Sequence, residues 1–312
     1  MPLDPQLKAL RELKEKEGVT PLYKLPVAEA RAADLAAVRD GAGEPEPVAR
    51  VWERTVPGPA GEIPVRGYVP EGEGPFPVLV YFFGGGWTLG TIDTSDAICR
   101  SLTNAVGCVT VAVGYRLAPE HRFPAAVEDC AAAVHWIAAH RGELGLDPAL
   151  LAVGGDSAGG NLAAAVSLKT RDEHGPAITA QLLVYPNTDH RSDTPSLREN
   201  TDPYLFNATS VAWYWNHYLA TEEDGLNPLA SPLRAADHSG LPPALVITAE
   251  YDPIRDQGEE YAHRLRAAGV PVELTRYEGM AHGFFAMAGT LPAGRRAVEQ
   301  AAAFLRRAFG RP

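Results

Sequence analysis

The chain has 312 residues, 46% of them hydrophobic and 21% charged, which fits one large α/β domain or two small ones. A net charge of −11 and a pI near 5.3 argue against nucleic acid and against an anionic membrane surface as partners. The three cysteines, Cys99, Cys108 and Cys130, have no metal-ligand spacing and read as small buried hydrophobes in a reducing compartment.

The opening stretch, MPLDPQLKALRELKEKEG, is charged and lacks the apolar core of a signal peptide. No apolar run reaches the ~18 residues of a spanning helix. The expectation is a cytoplasmic protein without stable membrane association. Leu3, Leu7, Leu10 and Leu13 recur at helical spacing between charges of both signs, as in an amphipathic helix packed on a domain surface. A second helix is expected over Val27–Val38. The Gly/Pro/Glu-rich stretch Gly41–Pro47 then closes an N-terminal helical segment, residues 1–45, ahead of a larger unit, residues 46–312.

Val48–Val56 and Glu62–Val69 alternate as a strand pair around a Pro57-Gly58/Gly61 turn. Pro77–Phe83 is continuously apolar, as a strand buried on both faces should be. Cys108–Val113, Leu150–Val153, Gln181–Tyr185, Leu245–Ala249 and Val272–Tyr277 are similar. Helical stretches at Pro124–Arg141, Ala158–Arg171 and Asp256–Ala268 fall between them. This alternation predicts a mostly parallel sheet flanked by helices, with its site at the carboxyl ends of the strands. Thr188–Asp224 breaks the rhythm and reads as an insertion of loops and helix over those strand ends. Most of its aromatics are expected to pack within it. Tyr204, Leu205 and Phe206 are expected to wall an apolar pocket, together with Trp87 and Tyr185.

The organising stretch is Leu150–Lys169. A short strand runs into Gly154-Gly155-Asp156-Ser157-Ala158-Gly159-Gly160 and out into an alanine-rich helix. Gly155-x-Ser157-x-Gly159 is the spacing of a nucleophile elbow. A strand that reverses into a helix this sharply leaves no room for a Cβ at the flanking positions. The Ala158 N–H sits at a helix N-terminus, where free donors and the dipole favour an anion.

Serine needs a base to act as a nucleophile at neutral pH. Of nine histidines, His282 alone follows the last predicted strand in a glycine-flanked loop, Gly279-Met280-Ala281-His282-Gly283-Phe284. The base needs a carboxylate to hold its tautomer. Asp252 directly follows the strand Leu245–Ala249. Glu250 is the competing orienter, and Asp256 reads as a helix-start acid. The order Ser157, Asp252, His282 is that of an α/β-hydrolase. An oxyanion hole is expected from the N–H groups of Gly84, Gly85 and Ala158, with Gly86 helping the loop to turn.

Together these motifs resemble the hormone-sensitive-lipase-like, bacterial family IV, carboxylesterases. The resemblance rests on Gly155–Asn161, on Tyr115-Arg116-Leu117-Ala118-Pro119-Glu120-His121 with Phe123–Ala126, on Asp252–Asp256 and on His282-Gly283-Phe284. It implies an α/β-hydrolase fold with a helical cap, to which the N-terminal segment contributes. It also implies hydrolysis of short- to medium-chain acyl esters of small molecules without cofactor or metal, and a homodimer formed through an edge strand. One position departs: Phe83 stands where the family usually has a histidine before its three glycines, so the loop is expected either to be held by packing or to be looser. The same three residues would also serve acyl transfer or amide hydrolysis. A small-molecule receptor on this scaffold would be expected to lack one of them.

Overall fold

The computed structural model describes residues 2–311. In chain order the elements are α1 (Pro5–Lys16), α2 (Val27–Ala42), β1 (Arg50–Gly58), β2 (Gly61–Val69), β3 (Phe76–Phe82), α3 (Asp96–Val106), β4 (Val109–Val113), α4 (Ala125–Ala139), β5 (Leu146–Asp156), α5 (Ala158–Asp172), β6 (Ala180–Val184), α6 (Pro195–Glu199), α7 (Ala208–Tyr218), β7 (Ala244–Tyr251), α8 (Arg255–Ala267), β8 (Val272–Ala281) and α9 (Pro292–Ala308). The strands form one sheet in the order β1-β2-β4-β3-β5-β6-β7-β8. β1, β2 and β4 pair antiparallel, and every pairing from β4 through β8 is parallel.

Strand alternation sorts the core into two layers. Val78, Val80 and Phe82 of β3 point to the face covered by α4, α5 and α8. Leu79 and Tyr81 point to the opposite face, covered by α3 and α9. Both faces of β3, β4 and β6 are buried, which explains their unbroken apolar sequences. The three cysteines are unpaired and buried, Cys99 and Cys108 in the second layer and Cys130 in the first. Among the described residues no helix is long and apolar enough to cross a membrane, and no cluster of metal-ligating side chains occurs.

Several bounds differ from expectation. α2 continues to Ala42 into the expected linker, because Gly41 is buried against Met287 and Gly43, at φ +76°, is the residue that ends the helix. α3 and α9 lie outside the expected set of helices, although each buries an apolar stripe. In α1 only Leu7 is buried and Leu13 is 46% exposed, so the leucine stripe is only partly covered. β8 runs on to Ala281 and delivers His282 at its carboxyl end.

Candidate active site

At the end of β5 the chain reverses through Ser157, whose backbone is held at φ 57° and ψ −117°, a region that costs a non-glycine residue of the order of 1–3 kcal/mol. A Cβ on Gly155 would lie 2.4 Å from the carbonyl oxygen of Phe82, and one on Gly159 only 1.9 Å from it. The two glycines therefore let the elbow press against the end of β3. The Ser157 N–H donates to Val184 at 2.8 Å, tying the turn to β6. Asn161, one turn along α5, is fully buried and donates to the carbonyls of Asn187 and Ala230, which anchors the start of the helix.

The structure brings three distant residues together. His282 Nε2 lies 2.9 Å from Ser157 Oγ, and His282 Nδ1 lies 2.7 Å from Asp252 Oδ2. Asp252 is fully buried, and its other oxygen accepts the Ile254 N–H at 2.9 Å. A buried acceptor-only carboxylate requires that Nδ1 carry the proton, so Nε2 is left to accept from the serine hydroxyl. Glu250 does not compete: its carboxylate accepts the Gly279 N–H at 2.6 Å. Asp256 is in the first turn of α8, where the N–H groups of Ser196 and the Arg255 guanidinium hold its carboxyl below the usual range against the effect of burial.

The glycine loop corrects one expectation. The Gly84 N–H is not free for a substrate oxygen, because it donates to Asp156 Oδ1 at 3.1 Å. The same oxygen accepts the Tyr81 hydroxyl at 2.8 Å. Burial pushes the Asp156 carboxyl up, and these two donors with the nearby His282 oppose the rise. Asp156 thus fixes the start of the loop, a role its place inside the elbow motif does not announce. Among the described residues the N–H groups of Gly85, Gly86 and Ala158 donate to no protein acceptor. Gly85 and Gly86 adopt φ values of +113° and +58°, and a Cβ on Gly86 would strike the ring of Tyr214. Phe83 holds the loop by packing. Its ring stacks on Tyr115 at 4.3 Å, and the Tyr115 hydroxyl donates to the Phe83 carbonyl at 2.8 Å.

The five expected pocket residues separate. Trp87 is 1% exposed and stacks on Tyr218 at 4.1 Å and beside Trp215 at 4.5 Å, so its ring belongs to the core. Tyr185 is equally buried and braces the imidazole of His282 from 4.5 Å. Tyr204 lies under the guanidinium of Arg11 at 5.2 Å, and Leu205 packs on the second core layer. Phe206 is half-buried, and its ring stacks on His282 at 4.1 Å. Tyr214, over Gly86, is a neighbour of the site that the sequence did not single out. Residues of the N-terminal helices also reach this end of the sheet. Arg11 pairs with Asp202 at 2.8 Å, and Arg31 donates to the carbonyl of Thr88 at 2.9 Å.

Residues 79–286 match a family model described as alpha/beta hydrolase fold. The carboxylic ester hydrolase LipN of Mycobacterium tuberculosis is 42% identical over 301 residues, 94% of this chain and 80% of that protein. A hyperthermophilic esterase from Pyrobaculum calidifontis superimposes with a TM-score of 0.93 at 42% identity, covering 98% of this chain and 99% of that one. An ester hydrolase from the metagenome of Lake Arreo, solved with a derivative of bipyridine phosphonate, superimposes with a TM-score of 0.95 at 40% identity over 99% of both chains. The chain belongs to the α/β-hydrolases, in the hormone-sensitive-lipase-like group of carboxylesterases.

Proposed function

We propose that this carboxylic ester hydrolase cleaves short- to medium-chain acyl esters of small molecules through an acyl-enzyme on Ser157. The observation that carries the reading is the unbroken line from Ser157 Oγ through His282 to the buried Asp252, with both contacts under 3 Å. In this reading Ser157 attacks the ester carbonyl while His282 Nε2 takes the hydroxyl proton. Asp252 stabilises the imidazolium, and the same proton leaves with the alcohol. Water, deprotonated by His282, then releases the acid. The N–H groups of Gly85, Gly86 and Ala158 receive the oxyanion, with Gly86 replacing Gly84 in the expected set. Preorganised backbone donors of this kind are each worth about 3 kcal/mol of transition-state stabilisation.

Residues 1–45 and the insertion 188–224 act together in this reading as a cap, with Phe206 forming the wall beside the leaving group. The half-buried Phe206 ring against His282 and the Arg11–Asp202 pair support it. Work in the cytoplasm fits three buried, unpaired cysteines. A homodimer would use the outer edge of β8, which is last in the sheet. The test is a panel of p-nitrophenyl esters of increasing acyl length against the wild type and Ser157→Ala. The expected result is a burst of chromophore followed by turnover on short and medium chains, both lost in the variant. Turnover that survives Ser157→Ala would overturn the mechanism, and faster acyl transfer to an added alcohol or amine than to water would make the enzyme a transferase.

A further inference from the structure

The inner face of α2 carries an arginine that is bonded to backbone rather than only to side chains. Arg31 Nε donates to the Thr88 carbonyl at 2.9 Å, and Nη2 donates to the Ala118 carbonyl at 3.0 Å. The outer edge of its guanidinium forms a fork with Glu120, at 2.9 and 2.7 Å. The Thr88 carbonyl shares its peptide group with the Leu89 N–H, and that N–H donates to the Gly85 carbonyl at 2.7 Å. The Gly85 carbonyl in turn shares its peptide group with the Gly86 N–H. A row of two hydrogen-bonded peptide groups therefore runs from a fixed positive charge to a donor proposed for the oxyanion. Each peptide dipole in such a row polarises the next. The Thr88 N–H reaches the same Gly85 carbonyl at 3.1 Å, and the Ala118 N–H donates to Trp87 at 2.8 Å, so the loop is held at several points. Three residues further along the same helix, Asp34 brings its carboxylate to the Gly90 N–H. One helix face thus offers a donor to one loop peptide and an acceptor to the next.

We propose that Arg31 is a positioning residue that orients and polarises the Gly86 N–H through the Thr88–Leu89 and Gly85–Gly86 peptides. The proposal rests on the assignment of Gly86 to the oxyanion hole. It makes the N-terminal helix a part of the reaction's electrostatics as well as a cover over the site. Removing Arg31 should act on the anionic transition state and leave ground-state binding of the uncharged ester nearly unchanged.

The experiment compares wild type, Arg31→Leu, Arg31→Lys and Glu120→Gln on one p-nitrophenyl ester, with active sites counted by burst titration. It also measures inhibition by a phenylboronic acid, whose tetrahedral adduct on Ser157 is anionic. Arg31→Leu should lower kcat about tenfold or more with KM within threefold, and weaken the boronic acid in parallel. Glu120→Gln, which leaves both backbone bonds of Arg31 in place, should keep kcat within twofold. Arg31→Lys, which cannot span Thr88, Ala118 and Glu120 at once, should fall between the two and serves if the leucine variant does not fold. Unchanged kcat per titrated site in both Arg31 variants would overturn the proposal, even if thermal stability drops. A raised KM at constant kcat, or a loss in Glu120→Gln equal to that in Arg31→Leu, would overturn it as well. Absence of a burst in the wild type would instead count against the acyl-enzyme reading, so the two failures are distinguishable.

Discussion

Asp34→Asn should stabilise the protein, and more so at pH 8 than at pH 5. The Asp34 carboxyl is half-buried on α2, where burial and the neighbouring Asp156 push its pKa from 3.8 up to about 6, and the Gly90 N–H only partly offsets this. The raised value means that the folded protein holds the proton more tightly than the unfolded chain does. Stability from the neutral carboxyl is then complete below pH 3.8 and is lost as pH rises through about 6. The full rise corresponds to about 3 kcal/mol above pH 7 and to about half of that at pH 5. Residual solvent contact screens the group and brings the expected gain at pH 8 to about 1–2 kcal/mol. For a chain of this size about 1 kcal/mol moves Tm by about 1.5 °C, so the shift should be about 1.5–3 °C. Asparagine keeps an oxygen for the Gly90 N–H, so the substitution isolates the charge. The assay is differential scanning calorimetry of both proteins between pH 5 and 8. An equal shift at both ends, or a lower Tm for the variant at pH 8, would refute the reasoning.

Three further outcomes follow from the site. Asp252→Asn should leave KM within a few-fold and lower kcat about 10⁴-fold, because an amide facing Nδ1 favours the wrong imidazole tautomer; steady-state kinetics on a p-nitrophenyl ester check this. Tyr115→Phe keeps the ring stack on Phe83 but removes the hydroxyl from the Phe83 carbonyl, and should cost about 1 kcal/mol in urea unfolding and lower kcat several-fold. Phe206→Ala opens the space beside His282, so kcat/KM on esters of bulky alcohols should rise relative to ethyl esters; a uniform change across the series would remove Phe206 from the leaving-group wall.

The sequence made much of the architecture legible because the apolar runs of β3, β4 and β6 are buried on both faces and carry no competing period. The elbow was legible for a steric reason: the spaces at Gly155 and Gly159 admit no side chain. His282 and Asp252 could be picked because each follows a strand directly, so the sheet alone brings them to one edge. Position within the loops was not legible in the same way. Gly84 and Gly85 are equivalent as letters, and only the Asp156 carboxylate, facing back from the elbow, separates a bonded amide from a free one. Trp87 and Tyr185 look like pocket residues by proximity, yet their rings are buried behind the site. Arg31 and Tyr214 depend on how two helices far apart in sequence lie over the glycine loop, which no local pattern encodes.

Of the three buried cysteines, Cys99 belongs to α3 and Cys108 precedes β4 in one layer of the core, Cys130 belongs to α4 in the other, and burial raises the pKa of each. A thiol-reactive dye should therefore stay dark on the native enzyme and light up as each layer opens. Single-cysteine versions would turn these residues into internal clocks for the two sides of the sheet. The intact exterior would meanwhile accept one added cysteine for oriented attachment to a support, without background labelling.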